Sequence, residues 1–292
     1  CRPARSRTSS LPARRDILWA TMCRLLGIVS SERTSFHFSL QAAPRSLASL
    51  SSEHPHGWGI AVYDSHDGWT VQKRPVRAAG CEHYYQAAST IQGELLLSHV
   101  RSRTVGETTL ANTHPFQRGR WVFAHNGTIT DTDFLRAHSS AERLQQLEGQ
   151  TDSELFFGYL LTCLDQAGVS DQPASPRTDE ALAAAMRRAL QQPSFGACNF
   201  LLSDGSVMYA HRWGRTLFLL ERRPTDQVRV HRESHETGAA IETPWTPRRH
   251  AVLIASEEMT DEPWRAIGEG TLLRCAREPV PSWRELARTT AP

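Results

Sequence analysis

The apolar residues of this chain mark out strands, then two helices, then strands again, and that order rules out most ways of layering them. Residues 23–30 are β-rich and weakly alternating, while 57–63 and 69–73 flank the turn Asp64-Ser65-His66-Asp67-Gly68 as a hairpin would. Residues 94–101 and 120–125 are mostly apolar, as strands buried in a sheet are, and both end in polar side chains. Thr151-Asp152-Ser153-Glu154 precedes an apolar run and has the form of a capping box, and 178–192 is an Ala/Leu/Arg-rich amphipathic helix. Between the helices, 168–177 reads as an exposed loop. Strands return at 197–203, 207–212, 216–221, 251–256 and 270–275, with 222–249 a polar surface excursion. Strands grouped in this way exclude a repeated βαβ unit. They predict an α+β fold in which helices cover two stacked antiparallel sheets.

The first strand opens on Met22-Cys23-Arg24-Leu25-Leu26-Gly27. Residues 1–22 carry five arginines against one aspartate, with neither apolar periodicity nor a long hydrophobic run, and are expected to be an upstream extension or removable leader. A start read upstream of the true one, an organellar transit peptide and a propeptide would each release Cys23. Cys23 would then carry a thiol and a free α-amine on one carbon. An α-amine titrates near ~8, so part of it is neutral at pH 7 and can take the thiol proton without a catalytic histidine.

Composition narrows the setting. The formal charge is +2, and losing the leader's excess of four positive charges makes it −2, which leaves no electrostatic footprint for nucleic acid. Apolar runs are strand-sized, so no membrane span is expected. Six cysteines, at 1, 23, 81, 163, 198 and 275, form no C-x-x-C pair, which fits a reducing cytoplasm. Cys81, Cys163, Cys198 and Cys275 are expected to be small buried hydrophobes. No cofactor or metal is expected.

Four further clusters follow Cys23: His99-Val100-Arg101-Ser102-Arg103-Thr104, Asn112-Thr113-His114-Pro115-Phe116, His125-Asn126-Gly127 and Thr151-Asp152-Ser153-Glu154. In this order they resemble the class II glutamine amidotransferases, a branch of the N-terminal-nucleophile hydrolases. The likeness is strongest to the stand-alone branch, which includes relatives that cleave a γ-glutamyl amide in ergothioneine biosynthesis. The resemblance implies a four-layer αββα sandwich over residues 23–292 and hydrolysis of glutamine or a γ-glutamyl amide through a Cys23 thioester. It also implies that the Asn126 side chain and the Gly127 N–H form the oxyanion hole. Arg101 and Asp152 would grip the substrate's α-carboxylate and α-ammonium, with Thr104 and His114 shaping the site. An arginine fork suits a carboxylate because it can bind both oxygens.

The chain lacks the tryptophan and second histidine that sugar-synthase relatives have after Arg101, which points to a wider pocket lined by Arg103 or Trp58. With one hydrolase domain filling 23–292, released ammonia is expected to pass to water or to a separate accepting enzyme. Three other readings compete. His99, His114 and His125 could bind a metal, although spacings of fifteen and eleven fit no local metal motif. A Cys23/His125/Asn126 triad is disfavoured because neighbours on a strand face opposite ways. A catalytically silent binding module would have lost some of these residues, and the central ones are all present.

Overall fold

A computed structural model describes residues 23–103, 105–226, 232–233, 240–241 and 249–290. In chain order the strands are β1 (Arg24–Ser35), β2 (Trp58–Asp64), β3 (Gly68–Arg74), β4 (Gln92–Val100), β5 (Phe116–Arg118), β6 (Trp121–Ile129), β7 (Gly196–Ser203), β8 (Val207–His211), β9 (Phe218–Arg222), β10 (Arg232–Glu233), β11 (Ala240–Ile241), β12 (Ala251–Ala255), β13 (Arg265–Ala266), β14 (Thr271–Ala276) and β15 (Ser282–Arg288). Helical segments are α1 (Phe38–Ala42, a π-turn), α2 (Leu47–Leu50), α3 (Glu82–Thr90), α4 (Thr132–Ala137), α5 (Ala141–Gln145), α6 (Asp152–Gln166) and α7 (Pro176–Leu190).

Strand alternation builds the layers. In β1, Leu25 and Val29 face one way and Leu26 and Ile28 the other; in β4, Leu95 and Leu97 oppose Leu96. The first set joins Val252 and Ile254 of β12 and meets Val122 and Ala124 of β6, Leu201 of β7 and Met208 of β8, forming the core between two sheets. The second set is covered by Leu40, Leu47 and Tyr84 from α1, α2 and α3. On the far side, Phe123 and Phe200 lie under Phe156 and Leu160 of α6 and Leu182 and Met186 of α7. The result is helix, sheet, sheet, helix, as the residue pattern and the resemblance both predicted.

The sheets are antiparallel at every pairing, seven strands in the order β13-β9-β12-β1-β4-β2-β3 and six in the order β15-β14-β8-β7-β6-β5; β10 and β11 pair separately. β1 is central, between β12 and β4. A strand flanked on both sides is rigid, so the residue that enters it is held firmly.

Several local expectations need correction. β6 does not stop at His125 but carries Asn126 and Gly127 onward, paired with Asn199 and Cys198. The capping box at α6 is half made: Thr151 Oγ1 accepts from the Glu154 N–H at 3.2 Å, but the Glu154 carboxylate turns to the Glu148 and Gly149 N–H groups and to Arg118. A buried carboxylate gains more from a guanidinium and two amides than from one N-cap amide. Cys81 and Cys163 are half-buried rather than buried, Cys81 because it caps α3, whereas Cys198 and Cys275 are enclosed. Most of the 222–249 excursion lies outside the described residues.

Candidate active site

The entry to β1, the exit of β4 and the exit of β12 meet at one end of the first sheet, because Arg24 pairs with Val100 and Leu26 with Ala255. Cys23, half-buried, sits at this entry. Its thiol donates to the Ser102 carbonyl and accepts from the Ser102 N–H, both at 3.2 Å. Burial pushes the thiol pKa up, and the Ser102 N–H with the Arg101 and Arg24 charges recovers only part of that rise. The thiol is therefore protonated near neutral pH. Among the described residues its hydrogen-bond partners are backbone groups, with no side-chain base in reach.

Asn126 comes from the opposite sheet. It continues the inward alternation of Val122 and Ala124, so its amide enters the space between the sheets near β12. There Asn126 Nδ2 donates to Ser256 Oγ at 3.3 Å, and the same oxygen accepts the Leu25 N–H at 2.9 Å. Ser256 is itself fixed by its own N–H to the Leu25 carbonyl, 3.1 Å, and by Thr216 Oγ1 to its carbonyl, 2.9 Å. The hydroxyl thus ties the Asn126 amide to the strand that begins beside Cys23. Ser256 ends the stretch 251–256 expected to be a strand, and its partners are too distant in sequence to be found by spacing. Gly127 is demanded by close approach, because a Cβ there would strike the Ala197 carbonyl oxygen.

Arg101 is buried directly after β4, and its guanidinium is already engaged: Nη2 donates to the Val105 carbonyl at 2.7 Å and Nη1 to the Glu107 carbonyl at 2.9 Å. Burial lowers its pKa, opposed by nearby Cys23 and Asp152, so the three share one electrostatic neighbourhood. Asp152, in the first turn of α6, uses Oδ2 to accept the Ile129 N–H at 2.6 Å. Asn112 braces the two: Nδ2 donates to the Glu107 carbonyl at 3.1 Å and Oδ1 accepts the Gln150 N–H at 2.8 Å. A loop held by Arg101 is thereby tied to the approach to α6. Thr104 lies outside the described residues.

The histidines are structural neighbours of this site. His114 is buried with its ring centroid 4.3 Å from that of His99 and 4.5 Å from that of Phe116, and among the described residues no ring nitrogen of His114 has a hydrogen-bond partner. Desolvation drives both well below the usual histidine pKa, so they are neutral. His125 points to the helical side of β6, where Nδ1 meets Ser153 Oγ at 2.8 Å and Nε2 the Ala197 carbonyl at 3.2 Å. It shares neither a metal geometry with the other two nor a triad with Cys23. Among the described residues no group of three metal-ligating side chains converges.

Beside Asn126 opens a cavity of about 240 Å³, lined also by Arg24, Arg45, Arg215, Phe218 and Ser256. Trp58 does not line it but packs against Tyr84 at 5.2 Å, and Arg103 is exposed with its N–H on His56 Nδ1. The expected widening by those two residues is therefore not at this cavity.

Residues 22–288 match the family model of class-II glutamine amidotransferases. The chain belongs to that family. It is an enzyme of the class-II glutamine amidotransferase type. YafJ of Escherichia coli is 28% identical over 264 residues, 85% of this chain and 95% of YafJ. The γ-glutamyl-hercynylcysteine sulfoxide hydrolase of Mycobacterium tuberculosis H37Rv is 26% identical over 210 residues, 70% of this chain and 77% of the hydrolase. A 2.0 Å crystal structure of a predicted glutamine amidotransferase from Pseudomonas aeruginosa superposes with a TM-score of 0.60 at 24% identity, covering 91% of this chain and all of that one, and supports the fold. Among the described residues no helix is long and apolar enough to cross a membrane.

Proposed function

We propose that this class-II glutamine amidotransferase hydrolyses glutamine or a γ-glutamyl amide at Cys23, after residues 1–22 have been removed. The neutral α-amine of Cys23 takes the thiol proton, and the thiolate attacks the γ-carbonyl carbon. The resulting oxyanion is held by an Asn126 Nδ2–H and by the Gly127 N–H. As the C–N bond breaks, the leaving nitrogen takes the proton from the ammonium, leaving a Cys23 thioester. Water, giving a proton to the same amine, then attacks the thioester; the C–S bond breaks, glutamate departs and the thiol is restored.

The observation that carries this reading is the thiol's surroundings. Its raised pKa keeps it protonated near neutral pH, its hydrogen bonds go to the Ser102 backbone, and among the described residues no side chain is hydrogen-bonded to it as a base. A base on the same carbon needs no other partner. Two further features support the division of labour. An amide has two N–H donors, and Asn126 commits one to Ser256, leaving the other for the oxyanion. Arg101 lies within electrostatic reach of both Cys23 and Asp152, which sets a cation and an anion near each other as an amino acid's charged end requires, and Arg101 keeps donors beyond those holding the 105–107 carbonyls.

The test is glutamate release from glutamine and a panel of γ-glutamyl amides, using protein begun at Met22 with its mature terminus measured by mass. Turnover that follows loss of Met22 supports the reading. Turnover by molecules that retain Met22 overturns the amine's role.

A further inference from the structure

The cavity beside Asn126 has an unusual charge balance. Glu257 spends both carboxylate oxygens, one on Arg24 and the other on Arg45 at 2.6 Å, so two cations share one anion. Arg215 has no ion pair among the described residues; its Nη1 only grazes the Gly214 carbonyl at 3.5 Å, and its Nε is buried without a partner. Even with Glu258 counted, the lining carries an excess positive charge. A buried guanidinium N–H left unmatched costs stability and is retained where a ligand completes it. The Nε and Nη donors of an arginine form a planar fork that fits a carboxylate.

The cavity's position says which part of a substrate reaches it. Asn126 and Ser256 are in its wall, and Arg24, also in the wall, donates to the Cys23 carbonyl at 3.3 Å. Neither Arg101 nor Asp152 lines it. With a substrate's α-groups toward Arg101 and Asp152 and its carbonyl oxygen on Asn126, the substituent on the amide nitrogen points into this cavity. About 240 Å³ is roughly eight waters' share of liquid volume, room for one amino-acid-sized group, and the half-buried Phe218 ring offers an apolar wall.

We propose that this cavity is a leaving-group subsite in which Arg215 binds a carboxylate on the departing amine, so that the preferred substrates are γ-glutamyl-α-amino acids rather than glutamine. The inference rests on the Cys23 reading above. Arg215 determines specificity here and takes no part in bond making.

The experiment compares kcat/KM for γ-glutamylglycine, γ-glutamyl-methylamide and glutamine in the wild type, Arg215→Gln and Arg215→Glu. A charge-assisted fork should favour γ-glutamylglycine over the methylamide by about 10- to 100-fold in the wild type. That ratio should fall to within about threefold in Arg215→Gln. Arg215→Glu should instead prefer a γ-glutamyl amide of ethylenediamine, whose leaving end is cationic, a reversal that misfolding cannot produce. A wild-type ratio near one, or a ratio that Arg215→Gln leaves intact, overturns the proposal while the Cys23 reading stands. If none of the three compounds is hydrolysed, both fall together.

Discussion

Removing the Ser256 hydroxyl tests whether the oxyanion hole is built as described. In Ser256→Ala the Asn126 amide keeps its place in β6 but loses the 3.3 Å bond that orients it, and the buried Leu25 N–H loses its 2.9 Å acceptor. An orienting neutral hydrogen bond is worth ~0.5–1.5 kcal/mol net, so kcat should fall about 2- to 10-fold. Asn126→Ala removes the donor outright and should lower kcat by ~10²- to 10³-fold, the ~2.7–4 kcal/mol typical of one oxyanion donor, with KM little changed. The double variant should be no slower than Asn126→Ala, because Ser256 acts through Asn126, giving a coupling close to the whole Ser256→Ala effect. Saturating glutamate-release rates give the cycle, and Ser256→Thr, which keeps the hydroxyl, should recover most of the loss. Additive costs would refute the reasoning, since Ser256 would then act on catalysis by another route. Thermal unfolding of Ser256→Ala separately reports the unmatched Leu25 N–H, at ~1–3 kcal/mol.

Gly127→Ala should destabilise the fold by at least ~1–3 kcal/mol in denaturant unfolding, because its Cβ meets backbone at Ala197 rather than a movable side chain; an unchanged midpoint would remove the close-packing argument. Arg101→Lys should raise KM by tenfold or more, since a point charge cannot both hold the Val105 and Glu107 carbonyls and meet a carboxylate; a collapse in kcat at constant KM would assign Arg101 to chemistry. The kcat/KM profile should rise with pH through the amine's range near ~8, because the protonated amine cannot accept the thiol proton, and a pH-independent profile between 6 and 8 would contradict it. Stability should fall as pH drops from ~6.5 toward 4. His211, fully buried with its pKa pushed down to about 4, stays neutral in the fold while the unfolded chain takes up a proton, a loss of about 3 kcal/mol from this residue that urea titrations at pH 7 and pH 4.5 should reveal in large part.

Much of the layer order was legible because β1, β4 and β6 are strand-length apolar runs and the helices α6 and α7 carry caps, with strong helix formers in α7. β15 was not, because it is an edge strand with mostly charged or half-exposed side chains and borrows its stability from pairing with β14. α3 left a readable trace in the spacing of buried Tyr84, Ala87 and Ala88, but its polar remainder masked it. Candidate site residues were named from ordered clusters in the sequence, whereas the groups that orient them were hidden. Ser256 meets Asn126 across 130 residues and Ser153 meets His125 across 28, distances that only the folded sheets collapse. Asn112 was visible as part of a motif, yet its bracing of the Glu107 and Gln150 backbones depends on two loops whose approach no local pattern encodes.

The most direct test of the account is to treat protein with a diazoketone analogue of glutamine and locate the adduct by peptide mass while following turnover. The account predicts one adduct per molecule, on the Cys23 thiol, formed only where Cys23 is the amino-terminal residue, with activity lost in proportion. Equal labelling of molecules that keep residues before Cys23, or full turnover with Cys23 modified, would contradict it.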